Sequence, residues 1–166
     1  MIQSRTLVAK LMLALTVLVA LPRVASADPK QAEANASASI KIKAKIQLTK
    51  TKDLAFVDAY QGSNSIPVAA SESGAAQFKA KGHKGDSFIV SFPSSSVFMT
   101  TGSGATAQEK IAVSSFTTDL ASNTGVLDAS TGEKVFNVGA SHAAILDDQV
   151  VADDYVGQFT VRVTYQ

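Results

Sequence analysis

Residues 32–48 read AEANASASIKIKAKIQL: every even position from Ala32 to Leu48 is apolar and every odd one is polar or charged. A period of two is the pattern of a β-strand with one buried face. At ~3.3 Å per residue the whole run would extend roughly 56 Å. Bulk is uneven along it. The apolar positions are only alanine up to Ala38, and large side chains begin at Ile40. The fold and the function both turn on what such a strand is buried against.

Upstream, MIQSRTLVAK carries Arg5 and Lys10, LMLALTVLVAL (11–21) is uncharged and apolar, and ASA (25–27) ends in small residues. A basic start, a short apolar core and an A-x-A-like site describe a cleavable secretory signal over residues 1–27. The apolar run falls well short of the ~20 residues that span a bilayer, so the expectation is export and no membrane-spanning segment. Cleavage after Ala27 leaves 139 of the 166 residues, enough for one domain with a single core. Loss of Arg5, Lys10 and Arg23 leaves 12 basic groups against 14 acidic ones, a net of −2 that argues against nucleic acid as a partner. The charges are unevenly placed. Residues 28–84 hold 9 basic and 5 acidic groups, residues 85–166 hold 3 and 9. There is no cysteine, which excludes disulfides, thiol nucleophiles and cysteine metal sites.

Residues 28–39, DPKQAEANASAS, cannot fill a core and read as a leader. From residue 40 onward, short β-like runs alternate with turn residues. DLAFVDAY (53–60), SIPVAA (65–70), AQFKA (76–80), DSFIVSF (86–92), SVFMT (96–100), EKIAVSSF (109–116), KVFNVGA (134–140) and YVGQFTVRVTY (155–165) are separated by QGSN, KGHKGD, TGSGAT, ASNTG, DASTGE and LDDQVVADD. LASNTGVLDAS has room for one helical turn at most. The expected fold is therefore all-β, an antiparallel immunoglobulin-like sandwich. Its clearest strand is the last, with Phe159, Val161, Val163 and Tyr165 on one face and Gln158, Thr160, Arg162 and Thr164 on the other.

The alternating leader IKIKAKIQL, the gap TKTK, the run DLAFVD and the ending DYVGQFTVRVTYQ together resemble chaperone–usher pilins of the alternative and archaic classes and the related spore coat protein U-like family. A departure is the absence of cysteine, which archaic pilins often carry as a disulfide. The resemblance implies that the sandwich lacks its final strand. An N-terminal donor strand from one subunit would complete the next, fitting into a groove bounded by Phe159, Val161, Val163 and Tyr165. It further implies a homopolymer, a periplasmic chaperone, an outer-membrane usher, and passage through the periplasm to a surface fimbrium.

Length agrees with this role. A domain of ~115 residues is roughly 35 Å across, and nine residues, 40–48, span ~30 Å. The expected donor face is Ile40, Ile42, Ala44, Ile46 and Leu48, within an N-terminal extension over 28–52 that precedes a sandwich over 53–166. Burying the four large side chains offers roughly 6–12 kcal/mol before ordering costs. The other reading makes 40–48 the first strand of its own subunit. Lys41, Lys43 and Lys45 face outward; they either keep a sticky edge from uncontrolled pairing, the reading the sequence favours, or guide the strand toward acidic loops such as LDDQVVADD.

No chemistry-bearing motif emerges. Asp147, Asp148, Asp153 and Asp154 do not follow EF-hand spacing, and His83 and His142 are isolated, so no metal site is expected. Nucleophile elbows and phosphate loops are absent, and neither enzymatic activity nor a cofactor is expected. The alternative function is a free-standing secreted adhesive or carbohydrate-binding sandwich. Trp is absent, and Tyr60, Tyr155 and Tyr165 sit at the ends of runs where packing accounts for them.

Overall fold

A computed structural model of the chain describes residues 32–152 and 154–166. The signal-like segment 1–27, residues 28–31 and Asp153 of the acidic loop lie outside the described residues. Two units are separable, Met1–Ile40 and Lys41–Gln166. Of the first, residues 32–40 carry no regular strand or helix.

The second unit is all-β. Its strands are β1 (Gln47–Lys52), β2 (Pro67–Val68), β3 (Ala76–Lys81), β4 (Ser87–Ser91), β5 (Ser96–Thr100), β6 (Lys110–Thr118), β7 (Thr124–Val126), β8 (Glu133–His142) and β9 (Arg162–Tyr165). A single 3₁₀ turn, Ala121–Asn123, is the only helical element among the described residues. All pairings are antiparallel. One sheet runs β1-β3-β8-β6-β5 with β2 on the end of β8, and the other runs β7-β4-β9. Both β1 and β9 are thus edge strands, each with one neighbour.

Sequence pattern explains the centre of the sandwich. β3 alternates Ala76, Phe78 and Ala80 inward, β8 contributes Phe136, Val138 and Ala140, and β4 contributes Phe88 and Val90; all are buried. Phe78 lies opposite Phe136 in the β3–β8 ladder, and their rings stack at 5.8 Å. Phe88 of the second sheet meets Phe136 at 6.1 Å, so the two sheets share one core. β7 closes on β4 because Gly125 has no side chain: a Cβ there would lie 2.4 Å from the Phe88 ring.

Three elements differ from the sequence reading. Residues 53–60, expected as a strand from their composition, form no ladder; within them the backbone makes one inter-segment bond, Ala55 N–H to the Gly74 carbonyl. The final strand is regular only over Arg162–Tyr165, with an isolated bridge upstream between Val156 and Thr100 of β5. Residues 49–52, taken from sequence as a gap, are the second half of β1 and pair with β3.

β6 contains a device that periodicity hides. Ile111 and Val113 point inward, but the register with β8 slips between Ser114 and Thr117, and Ser115 has φ 56°. This bulge switches the inward parity from odd to even positions. Phe116 consequently faces the interior, stacked between Phe92 at 5.4 Å and Phe159 at 5.0 Å.

Candidate functional site

The first and last segments of the body flank a seam that no strand pairing among the described residues bridges, since β1 and β9 are edge strands of different sheets. On one bank lie β1 and the strap 53–61; on the other lie residues 149–152, 154–161 and β9. Ile46, Leu48, Leu54, Phe92, Phe116, Leu120, Phe159, Val161, Val163 and Tyr165 all pack against the buried core yet remain only half-buried. Among them Ile46, Leu48, Leu54, Phe159, Val161, Val163 and Tyr165 belong to or adjoin the two banks. An apolar side chain in that state has given up part of its exposure to water without a full complement of neighbours.

The last segment shows why. Residues 155–165 leave the edge of the first sheet at Val156, cross to the second, and join β4 at Arg162. Gly157 permits the crossing, since a Cβ there would lie 2.4 Å from the Phe98 carbonyl oxygen. Among the described residues, 157–161 make no backbone hydrogen bond. The expected alternation is present: Phe159, Val161, Val163 and Tyr165 turn inward, and Gln158, Thr160, Arg162 and Thr164 are exposed. Val163 pairs with Val90 and Tyr165 with Phe88, while the opposite edge of β9 carries no strand.

The donor residues read from the sequence are divided by the structure. Ile46 and Leu48 pack on the core of their own chain, and Leu48 sits opposite Ala80 in the β1–β3 ladder. Ile42 is 85% exposed, Ile40 is exposed as well, and neither belongs to a strand. Ala44 lies between: its carbonyl accepts a hydrogen bond from the Tyr165 hydroxyl at 2.8 Å, which in turn accepts one from the His83 N–H at 2.7 Å. Lys43 pairs with Asp86 at 2.9 Å, and this ammonium holds the Asp86 carboxyl below its usual range. The leader therefore departs from the body at the Tyr165 end of the seam.

At the other end the strap and residues 149–152, 154 and 155 enclose an open cavity of about 710 Å³. Met99, Ile111, His142 and Ile145 line it from within, and Asp58, Val151 and Asp154 line its walls. His142, which the sequence left as an isolated turn histidine, ends β8 and is buried. Its Nδ1 donates to the Ala143 carbonyl at 2.6 Å, Phe56 meets its ring edge-on at 5.1 Å, and its Nε2 has no partner. Gln149, also buried, donates to the Gln108 and Lys110 carbonyls, and the Tyr155 hydroxyl donates to the Val150 carbonyl at 2.6 Å. Among the described residues no group of three or more His, Asp or Glu is placed to hold a metal ion, and no helix is long and apolar enough to cross a membrane.

One family profile matches residues 56–165, that of the domain of unknown function DUF4402. The chain belongs to the DUF4402 family. The matched span starts in the strap and ends at Tyr165, so the DUF4402 domain contains the cavity, the sandwich core and the last segment, whereas the leader and β1 precede it. No curated protein and no solved structure matches the chain.

Proposed function

We propose that this DUF4402 protein is a structural, non-enzymatic subunit of a surface fibre, and that its seam accepts a β-strand supplied by the leader of another copy. The observation that carries the reading is the pairing of two open edges, β1 and β9, along a line of half-buried apolar side chains. A strand laid along β9 would add ladder bonds to its free edge and complete the burial of Phe159, Val161 and Val163. That is strand addition, in which the backbone supplies affinity and alternate side chains supply fit. Residues 155–165 are long enough to offer roughly 33 Å of edge.

The likeness to chaperone–usher pilins, carried by the leader and the ending, supports the same reading and adds a periplasmic chaperone, an outer-membrane usher and export by the signal-like segment. The structure refines which residues would be exchanged. Ile46 and Leu48 already serve their own core, so the exchanged part ends near Ala44, with Ile40 and Ile42 as its large side chains. Burying those two contributes about 3–6 kcal/mol, and ladder hydrogen bonds add to it. The secreted carbohydrate-binding alternative lacks a comparable feature.

The test is a pair of variants. Ile42→Asp places a carboxylate where insertion would desolvate it, on a residue the isolated body leaves exposed. It is expected to yield folded monomers by size-exclusion chromatography and circular dichroism, whereas Ser39→Asp, on the outward face of the leader, still assembles. Fibres formed normally by Ile42→Asp would contradict the proposal.

A further inference from the structure

The cavity end of the seam has a chemical character of its own. Asp58 and Asp154 stand in its walls, and Asp147 lies against Gly62 at its rim. None of the three belongs to an ion pair among the described residues. Asp148, beside them, accepts a hydrogen bond from the Gln108 amide at 3.0 Å. No Lys or Arg is among the described residues lining the cavity. Deeper in, the buried His142 bonds the Ala143 carbonyl through Nδ1, and its buried Nε2 has no partner. The Gln149 and Tyr155 donors are already committed to carbonyls. The charged side chains lining the mouth, Asp58 and Asp154, are thus both acidic, and an occupant carrying positive charge complements them.

The leader of this same chain has that chemistry. Lys41, Lys43 and Lys45 alternate with Ile40, Ile42 and Ala44, and no acidic residue occurs between Glu33 and Asp53. The two features lie at opposite ends of the body. The leader departs beside Tyr165, and the acidic mouth is formed at Tyr155, ten residues and roughly 33 Å of extended chain away.

We propose that the mouth formed by Asp58, Asp147 and Asp154 is the docking point for the lysine stripe Lys41, Lys43 and Lys45 of a second copy. This rests on the strand-accepting reading above and adds to it the direction and the electrostatics of the encounter. With its lysines at the Tyr155 end and its alanines toward Tyr165, the inserted leader runs antiparallel to residues 155–165. Because the donor leaves at one end and docks at the other, the contact is head-to-tail and does not close on itself, which generates a filament rather than a dimer. Complementary charge acts chiefly on the association rate and is weakened by salt.

The experiment measures association of a labelled peptide, residues 32–45, with the full chain by fluorescence anisotropy at low and high salt. The rate is expected to fall about tenfold or more as salt rises. It should fall similarly when the peptide carries Lys41→Glu, Lys43→Glu and Lys45→Glu, or when the protein carries Asp58→Lys, Asp147→Lys and Asp154→Lys. Combining the reversed peptide with the reversed protein restores it. Those three aspartates are exposed, and circular dichroism of the variant checks that it folds. Binding that ignores salt and charge reversal overturns the guidance while leaving strand acceptance standing. A parent peptide that does not bind at all overturns both.

Discussion

β8 and the last segment carry the same kind of sequence, yet the structure treats them oppositely. Phe136, Val138 and Ala140 on β8 are buried completely, while Phe159, Val161, Val163 and Tyr165 stay half-exposed on an equally good alternation. Apolarity does not separate them; neighbours do. β8 lies between β3 and β6, whereas β9 has only β4 and residues 157–161 have no ladder partner. A strand with one neighbour presents an unsatisfied edge, which proteins ordinarily blunt or cover. Here two such edges border one seam, and an apolar leader extends from the same chain.

The largest effect that sharpens this contrast is truncation of an aromatic on each side. Phe136→Ala is expected to cost about 3–5 kcal/mol, the range for a fully packed aromatic. Phe159→Ala should cost less than half of that in the unassembled chain, because its surroundings are already open. Urea denaturation of both variants measures the difference, and equal losses would break the comparison.

Next comes the leader itself. Ile46→Asp is expected to destabilise the body by several kcal/mol, since its carboxylate would sit against the core, whereas Ile42→Asp should leave the melting temperature of the monomer unchanged. Differential scanning calorimetry of the two separates the part of the alternation that stays at home from the part free to be exchanged. If both variants melt like the parent, Ile46 is not a core residue.

A smaller effect concerns acid. Asp128 accepts hydrogen bonds from the Ser130 hydroxyl and from the Thr131 and Ser130 N–H groups in the turn before β8, and these hold its carboxyl far below the usual range. A depressed folded-state pKa means a contribution present above the unfolded value, near 4, and lost as pH falls through the folded one. Asp128→Asn should therefore lower the melting temperature at neutral pH and narrow its gap from the parent as pH drops below about 4. A gap that is constant with pH would show that the turn does not draw on the carboxylate.

The smallest effect is expected in the acidic stretch 147–154. Replacing Asp147, Asp148, Asp153 and Asp154 by Asn should change stability by less than about 0.5 kcal/mol, while slowing association with the leader. A melting temperature raised by calcium in the parent and not in the variant would instead reveal a metal site.

These contrasts show which parts of the molecule were legible in the sequence. Runs and one face were: AQFKA and KVFNVGA were readable as β-like runs, and the alternation in FTVRVTY separated inward from outward side chains, because period two is a property of the chain itself. Partners were not. DLAFVDAY has strand composition but no ladder, since whether 53–60 pair depends on what lies alongside. TKTK looks like a linker because it lacks apolar residues, yet Thr49 and Lys50 pair with β3 through their backbones. The β6 bulge escapes reading because Ser114–Ser115 gives no hint that parity changes before Phe116. β7 is only three residues long and depends on Gly125 meeting Phe88. The face of Phe159, Val161, Val163 and Tyr165 was visible as a face, whereas its half-burial and the cavity beside Tyr155 arise only from the fold.

Amide hydrogen exchange tests the central claim most directly, that the seam is an unfilled strand position. In the unassembled chain, residues 157–161 should exchange fast while Phe136 and Val138 in β8 exchange slowly. Addition of saturating peptide 32–45 should slow residues 157–161 by at least tenfold and leave β8 unchanged. Slow exchange of 157–161 before any peptide is added, or fast exchange that saturating peptide does not alter, would contradict it.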